Sequence, residues 1–276
     1  MFSKFVFVCL MVLLITVQAF TAADMTSLGS QSLSQGRPTF FTENKGQWDE
    51  AVLFKVSGGG GLTTFIERDG FSVLSCVEDR SAEPINITHS EGLPEQLSNP
   101  DRKDRYPSKA HSLKFKFKNT LPSPIGNFQE EQTTLASASS FESSERLSWN
   151  NNYFIGNDHS KWAANCGNFQ RVVLKDVWDG VDVAWRIVGK QVEFDFLVHP
   201  NTDPDVIRVE CLGLTGDLKT TSNGEELIMP TSLGILRQAI PEAYQIEPDG
   251  SLEPVRAEFL VGEGSSFGVA LPEGWD

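Results

Sequence analysis

The stretch from Val181 to Val198, "VDVAWRIVGKQVEFDFLV", constrains the fold more than any other part of the chain. Two runs alternate apolar and polar positions about a Gly189-Lys190 turn, and a period of two is the signature of a strand. Val181, Val183, Trp185 and Ile187 share one face, as do Val192, Phe194, Phe196 and Val198. The opposite faces carry Asp182 and Arg186 on the first strand and Glu193 and Asp195 on the second. This is an antiparallel hairpin.

The same grammar holds elsewhere. "AVLFKVS", "LTTFIE", "FSVLSCV", "LKFKFK" and "VIRVECL" are short apolar runs separated by Gly, Asn, Asp and Pro, as in "GGGG", Asp69-Gly70 and "HPNTDPD". No segment keeps a helical period beyond about two turns. The fold expected is all-β, with antiparallel sheets in a sandwich-like arrangement; a break at 119–150 would divide it into two subdomains. Nineteen Phe and six Trp supply a bulky core.

The amino terminus reads as an export signal. Met1–Lys4 carries one positive charge, Phe5–Val17 is apolar, and Thr21 and Ala23 suit a signal peptidase. Residues 1–23 are therefore expected to be removed, leaving no membrane span and a secreted, cell-surface or periplasmic protein. Residues 24–37 are small and polar and read as a disordered linker, with a β domain at 38–276. Within it, 78–111 reads as a long polar surface insertion and 130–146 as a second polar stretch. Cys76, Cys166 and Cys211 would remain, enough for at most one internal disulfide, with Cys76 and Cys211 expected as buried small hydrophobes. A net charge of −14 argues against nucleic-acid binding, which needs clustered Lys and Arg.

Several motifs occur in a recognisable order: "FTENKGQW", "TTFIERDGFSVL", "NYFIGNDHSKW", "DVWDGVDVAWR", "VEFDFLVHPNTDPDVIRV" and "PEAYQ". Together they resemble the uncharacterised N-terminal β domain that precedes SBBP (β-propeller) repeats in exported bacterial multidomain proteins. The resemblance implies a secreted β domain with no established activity or ligand. It marks Asn152, Tyr153, Phe154, Gly156, Asp158, Trp162, Gly180, Asp182, Glu193, Asp195, Phe196 and Pro200 as motif positions. Where the family continues into repeats, this chain reads Gly274-Trp275-Asp276, so a stand-alone domain and a shortened chain are both open readings.

Two places invite a chemical reading. Glu193 and Asp195 lie i and i+2 on one strand, about 7 Å apart. With Asp182 opposite they could hold a cation such as calcium or form a glycosidase-like carboxyl pair. Arg186 within cross-strand reach makes an ordinary acid–Arg face the leading reading. The corner "NNYFIGNDHSKWAANCGNF" packs Asp158, His159, Ser160 and Lys161 together. Adjacent residues on a turn diverge, so it reads as a corner in which Asp158 or Ser160 caps a short helical turn. Tyr153, Phe154, Ile155 and Trp162 are expected to be its buried anchors, and Asp158–Lys161 to face water. Glycan or peptide binding there, with Trp162 as a contact, is the alternative.

Three formal motifs lack the context they need. Gly58–Gly61 precedes a strand rather than a helix, so it is not a phosphate loop. Gly264–Gly268 matches GxSxG without a following helix or a downstream His. The three lysines of "LKFKFK" read as a solvated face or an edge-strand guard. The function expected is a non-catalytic exported module for surface assembly or interaction, with a cell-surface protein or glycan as partner. A carbohydrate-binding or carbohydrate-cleaving module built on the acidic hairpin is the alternative.

Overall fold

A computed structural model describes residues 6–11, 39–57, 62–79, 81–83, 107–121, 141–189, 191–222, 224, 226–239, 242–247 and 249–271. These form eighteen strands and three short 3-10 turns. The strands are β1 (Val6–Met11), β2 (Phe41–Glu43), β3 (Val52–Ser57), β4 (Leu62–Glu67), β5 (Gly70–Glu78) and β6 (Ser108–Phe117). Then come β7 (Phe141–Tyr153), β8 (Ala163–Trp178), β9 (Val181–Val188), β10 (Gln191–Val198), β11 (Val209–Leu212) and β12 (Lys219–Thr220). The last are β13 (Glu226–Thr231), β14 (Gly234–Ala239), β15 (Glu242–Ile246), β16 (Leu252–Val255), β17 (Glu258–Val261) and β18 (Ser266–Ala270). The protein is all-β.

One sheet runs in the order β16-β15-β1-β10-β9-β8-β2-β3-β4-β5-β6-β11-β18-β17, with β7 on the other edge of β8, and β12-β13-β14 forms a second. The β9–β10 hairpin has the register its pattern requires, with Trp185 opposite Phe194 and Arg186 opposite Glu193. Its apolar face meets the face of β5 and β6: Phe71 stacks on Phe115 at 4.6 Å and touches Phe194 at 5.0 Å and Trp185 at 6.1 Å. Phe117 meets Trp178 at 5.2 Å. The large sheet thus folds over itself around one contiguous core, and each large side chain fully buried there contributes roughly 1.5–3 kcal/mol. Gly70 is obligatory at its turn, because a Cβ would lie 1.9 Å from the Phe115 carbonyl oxygen.

Several local expectations change. Residues 108–111 belong to β6, and β7 begins at Phe141 inside the second polar stretch. The rest of the 78–111 insertion from 84 to 106, Gly58–Gly61 and the 24–37 linker lie outside the described residues. Strand β6 is interior, flanked by β5 and β11, so its lysines do not guard an edge. Lys114 reaches Glu67 at 2.7 Å and Asp69 at 3.3 Å, and Lys118 reaches Glu210 at 3.2 Å. That face is an ion-pair ladder; hydrogen bonding to Glu67 raises the Lys114 pKa. Cys166 and Cys211 are buried, whereas Cys76 is exposed, and all three thiols are free. Ser266 opens β18, and its hydroxyl donates to the Glu263 carbonyl, so the GxSxG match is not a strand-to-helix elbow. Among the described residues no helix is long and apolar enough to cross a membrane.

Candidate functional site

The acidic face of the hairpin is buried rather than solvated. Glu193 is 5% exposed and Asp195 4%. Arg186 spans both, with Nη2 at 2.8 Å from Glu193 and Nε at 3.2 Å from Asp195. The cation that two buried carboxylates require comes from the chain itself. A carbohydrate-cleaving use of the pair asks for acids lining a concave pocket, and here the guanidinium closes them off. Among the described residues no three His, Cys, Asp or Glu side chains converge to hold a metal.

Asp182 does not join that pair. It lies opposite Leu197, and its carboxylate, 1% exposed, meets Lys175 Nζ at 3.1 Å and His199 Nε2 at 3.2 Å. It also accepts the Asp176 backbone N–H at 2.9 Å. Asp176 has φ +51° in an irregular stretch of β8 where the register to β9 shifts between Leu174 and Trp178. Asp182 therefore satisfies a donor that the bulge removes from the ladder. Gly180, at φ +70°, closes the turn beside it, and a Cβ there would lie 2.1 Å from Thr202 Oγ1. Pro200, in the same "HPNTDPD" turn, follows the His199 N–H, which donates to the Gly180 carbonyl.

The corner is built by two motifs about a hundred residues apart. In "FTENKGQW", Asn44 Oδ1 accepts the Gly46 and Trp48 N–H groups, while its Nδ2 donates to the Asp49 and Val52 carbonyls. Glu43 accepts the Gly167 N–H at 2.6 Å and pairs with Lys45 at 2.9 Å. Lys45 Nζ donates to the Asn165 carbonyl, and Asn165, at φ +57°, donates its N–H to Asn152 Oδ1. Trp48 meets Tyr153 edge-on at 5.2 Å. Buried Asn168 donates to the Trp149 carbonyl and accepts from Thr42 Oγ1. The first motif is thus the floor on which the second stands, a relation that sequence separation concealed.

Asp158 caps the 3-10 turn His159–Lys161 as expected, accepting the Ser160 N–H and hydroxyl, which hold its pKa below the ordinary carboxylate range. Asp158–Lys161 face water. The anchors are a correction. Phe154 is 58% exposed, Ile155 76% and Trp162 39%; only Tyr153 is half-buried. The exposed rings are nonetheless held in place. Trp162 lies 4.0 Å from the His159 ring and 5.6 Å from Phe154, and its Nε1 donates to the Gly156 carbonyl at 3.2 Å. Gly156, at φ +75°, turns the chain so that Phe154 and Ile155 project outward. The outcome is an exposed apolar patch in which Phe154 and Trp162 are held in place, next in the chain to the exposed polar residues Asn157–Lys161.

No curated protein and no solved structure matches the chain at a significant level. One family does: the family described as "Domain of unknown function (DUF7948)" matches residues 41–276, which include both corner motifs, the hairpin and every strand except β1. The chain belongs to this family.

Proposed function

We propose that the protein is a non-catalytic, exported interaction module that docks a cell-surface protein or glycan on the corner formed by Phe154, Ile155 and Trp162. The observation that carries this reading is the exposure of all three combined with the fixed geometry of Phe154 and Trp162. Apolar side chains already immobilised by stacking and a hydrogen bond lose little conformational entropy on binding. An exposed Trp is also a residue type enriched among those that dominate binding energy at interfaces. The closed ion cluster on the hairpin supports a structural part for the acids. The resemblance to domains that precede SBBP repeats in exported proteins supports a part in surface assembly or interaction.

The test compares binding of the labelled protein to the cell envelope of its source, and to purified envelope polysaccharide, with that of Phe154→Ala/Ile155→Ala/Trp162→Ala. Loss of envelope binding at unchanged melting temperature supports the reading; retained polysaccharide binding separates a protein partner from a glycan. Undiminished envelope binding by the triple variant refutes it.

A further inference from the structure

The most unusual pairing in the molecule is that of β1. Residues Val6–Met11 lie inside the apolar run read as an export leader, yet they fill an interior position of the large sheet. Phe7, Val8, Cys9, Leu10 and Met11 pair antiparallel with Val198, Leu197, Phe196, Asp195 and Phe194. The other edge of the same strand pairs antiparallel with β15, Val6 opposite Ile246 and Leu10 opposite Glu242. Among the described residues no other strand meets that edge of β10 or of β15, and the β15–β16 hairpin reaches the sheet only through β1.

The family match begins at residue 41, so β10 and β15 lie inside the family domain while the strand between them lies outside it. With β1 in place, β10 and β15 lie two strand spacings, about 9.6 Å, apart. Both flanks run parallel to each other, because each is antiparallel to β1. The β10 flank is the apolar centre of the core, where Phe194 is 2%, Phe196 0% and Val198 1% exposed. An open edge of this kind presents unpaired N–H and C=O groups beside a hydrophobic face, which is the template for strand addition.

We infer that the gap between β10 and β15 is a strand-acceptor site: the leader holds it in the precursor, and after export it takes an extended apolar segment of another polypeptide. The incoming strand runs antiparallel to both flanks, spans about six residues, and presents apolar side chains at the alternate positions opposite Phe194, Phe196 and Val198. Main-chain pairing supplies affinity along both edges, and the core face supplies selectivity. This site shares with the proposed function only the export of the chain; it is separate from the exposed corner, so hydrogen exchange at the sheet and envelope binding at the corner fail independently.

The test uses the full chain and Val8→Pro, which removes a ladder donor from β1. Expected first is faster hydrogen exchange in 194–198 and 242–246 of the variant, by about ten-fold or more, with the β6 amides unchanged. A synthetic peptide carrying residues 6–11 between solubilising lysines should then restore protection, and the same peptide N-methylated at alternate amides should not. If Val8→Pro does not fold, the protein freed of residues 1–23 is refolded with and without the peptide, and recovery should depend on it. Intact mass of exported protein reports leader removal separately. Unchanged exchange in Val8→Pro, no protection by the peptide, equal protection by the N-methylated peptide, peptide-independent refolding or a retained leader in the exported protein would each overturn the inference.

Discussion

The β9–β10 hairpin and the 152–165 corner are the two places where charge and aromatics crowd together in the sequence, and the fold treats them oppositely. In the hairpin, Glu193, Asp195 and Asp182 are drawn inside, paired with Arg186 and Lys175, and Asp182 is also within hydrogen-bond distance of His199. In the corner, Phe154, Ile155 and Trp162 are pushed out while small polar groups hold the backbone beneath them. A buried charge that its own chain already pairs has its electrostatic demand met without a ligand. An exposed ring that is fixed in place retains unsatisfied apolar surface, which is what a partner removes from water.

Breaking the hairpin cluster should have the largest effect. Arg186→Met removes the guanidinium that pairs buried Glu193 and Asp195 and should cost about 3 kcal/mol in urea unfolding, held to the low end because the guanidinium is partly exposed. Asp182→Ala should cost about 2 kcal/mol, since it strands the Asp176 N–H at the bulge and removes a buried carboxylate from Lys175. A loss under about 0.5 kcal/mol in both would erase the contrast between the regions. By comparison, Phe154→Ala and Ile155→Ala should change stability by no more than about 0.5 kcal/mol, measured the same way.

Two smaller effects sharpen the picture through titration. Burial pushes the Cys211 thiol from 9.0 up to about 12, so the folded state holds that proton more tightly than the unfolded one. Its contribution is fully present below pH 9.0 and is lost as pH rises toward 12; Cys211→Val should flatten that part of the stability profile. Alkylation at mild alkaline pH should label exposed Cys76 well before Cys166 or Cys211. Asp158 has the reverse sign. Its depressed pKa keeps the cap intact above the ordinary carboxylate range and releases it as pH falls through the lowered value, which Trp162 fluorescence would follow. Asp158→Asn should remove that transition.

The hairpin was legible residue by residue because the apolar set of a strand repeats every second position, and a one-residue slip would turn all of Val181, Val183 and Trp185 away from the core. The 3-10 turn was legible because Asp158 caps locally. Strand β7 was not: "FESSERLSWNNNY" has no apolar alternation, and it is a strand because β8 offers it an edge. The corner anchors misled for a related reason. Aromatics between turn residues look like core, and only the docking of "FTENKGQW" beneath Tyr153 shows that the inner places are already taken.

The sequence by itself determined the all-β class, the hairpin, its register and the capped turn, because alternation and capping act between near neighbours. Only the tertiary structure decided that Arg186 closes over Glu193 and Asp195, that Asp182 serves a bulge instead of joining them, that Phe154 and Trp162 face outward, and that β1 lies between β10 and β15. Those outcomes depend on which distant strand arrives alongside and what surface it covers, and the spacing of residues along the chain does not encode that.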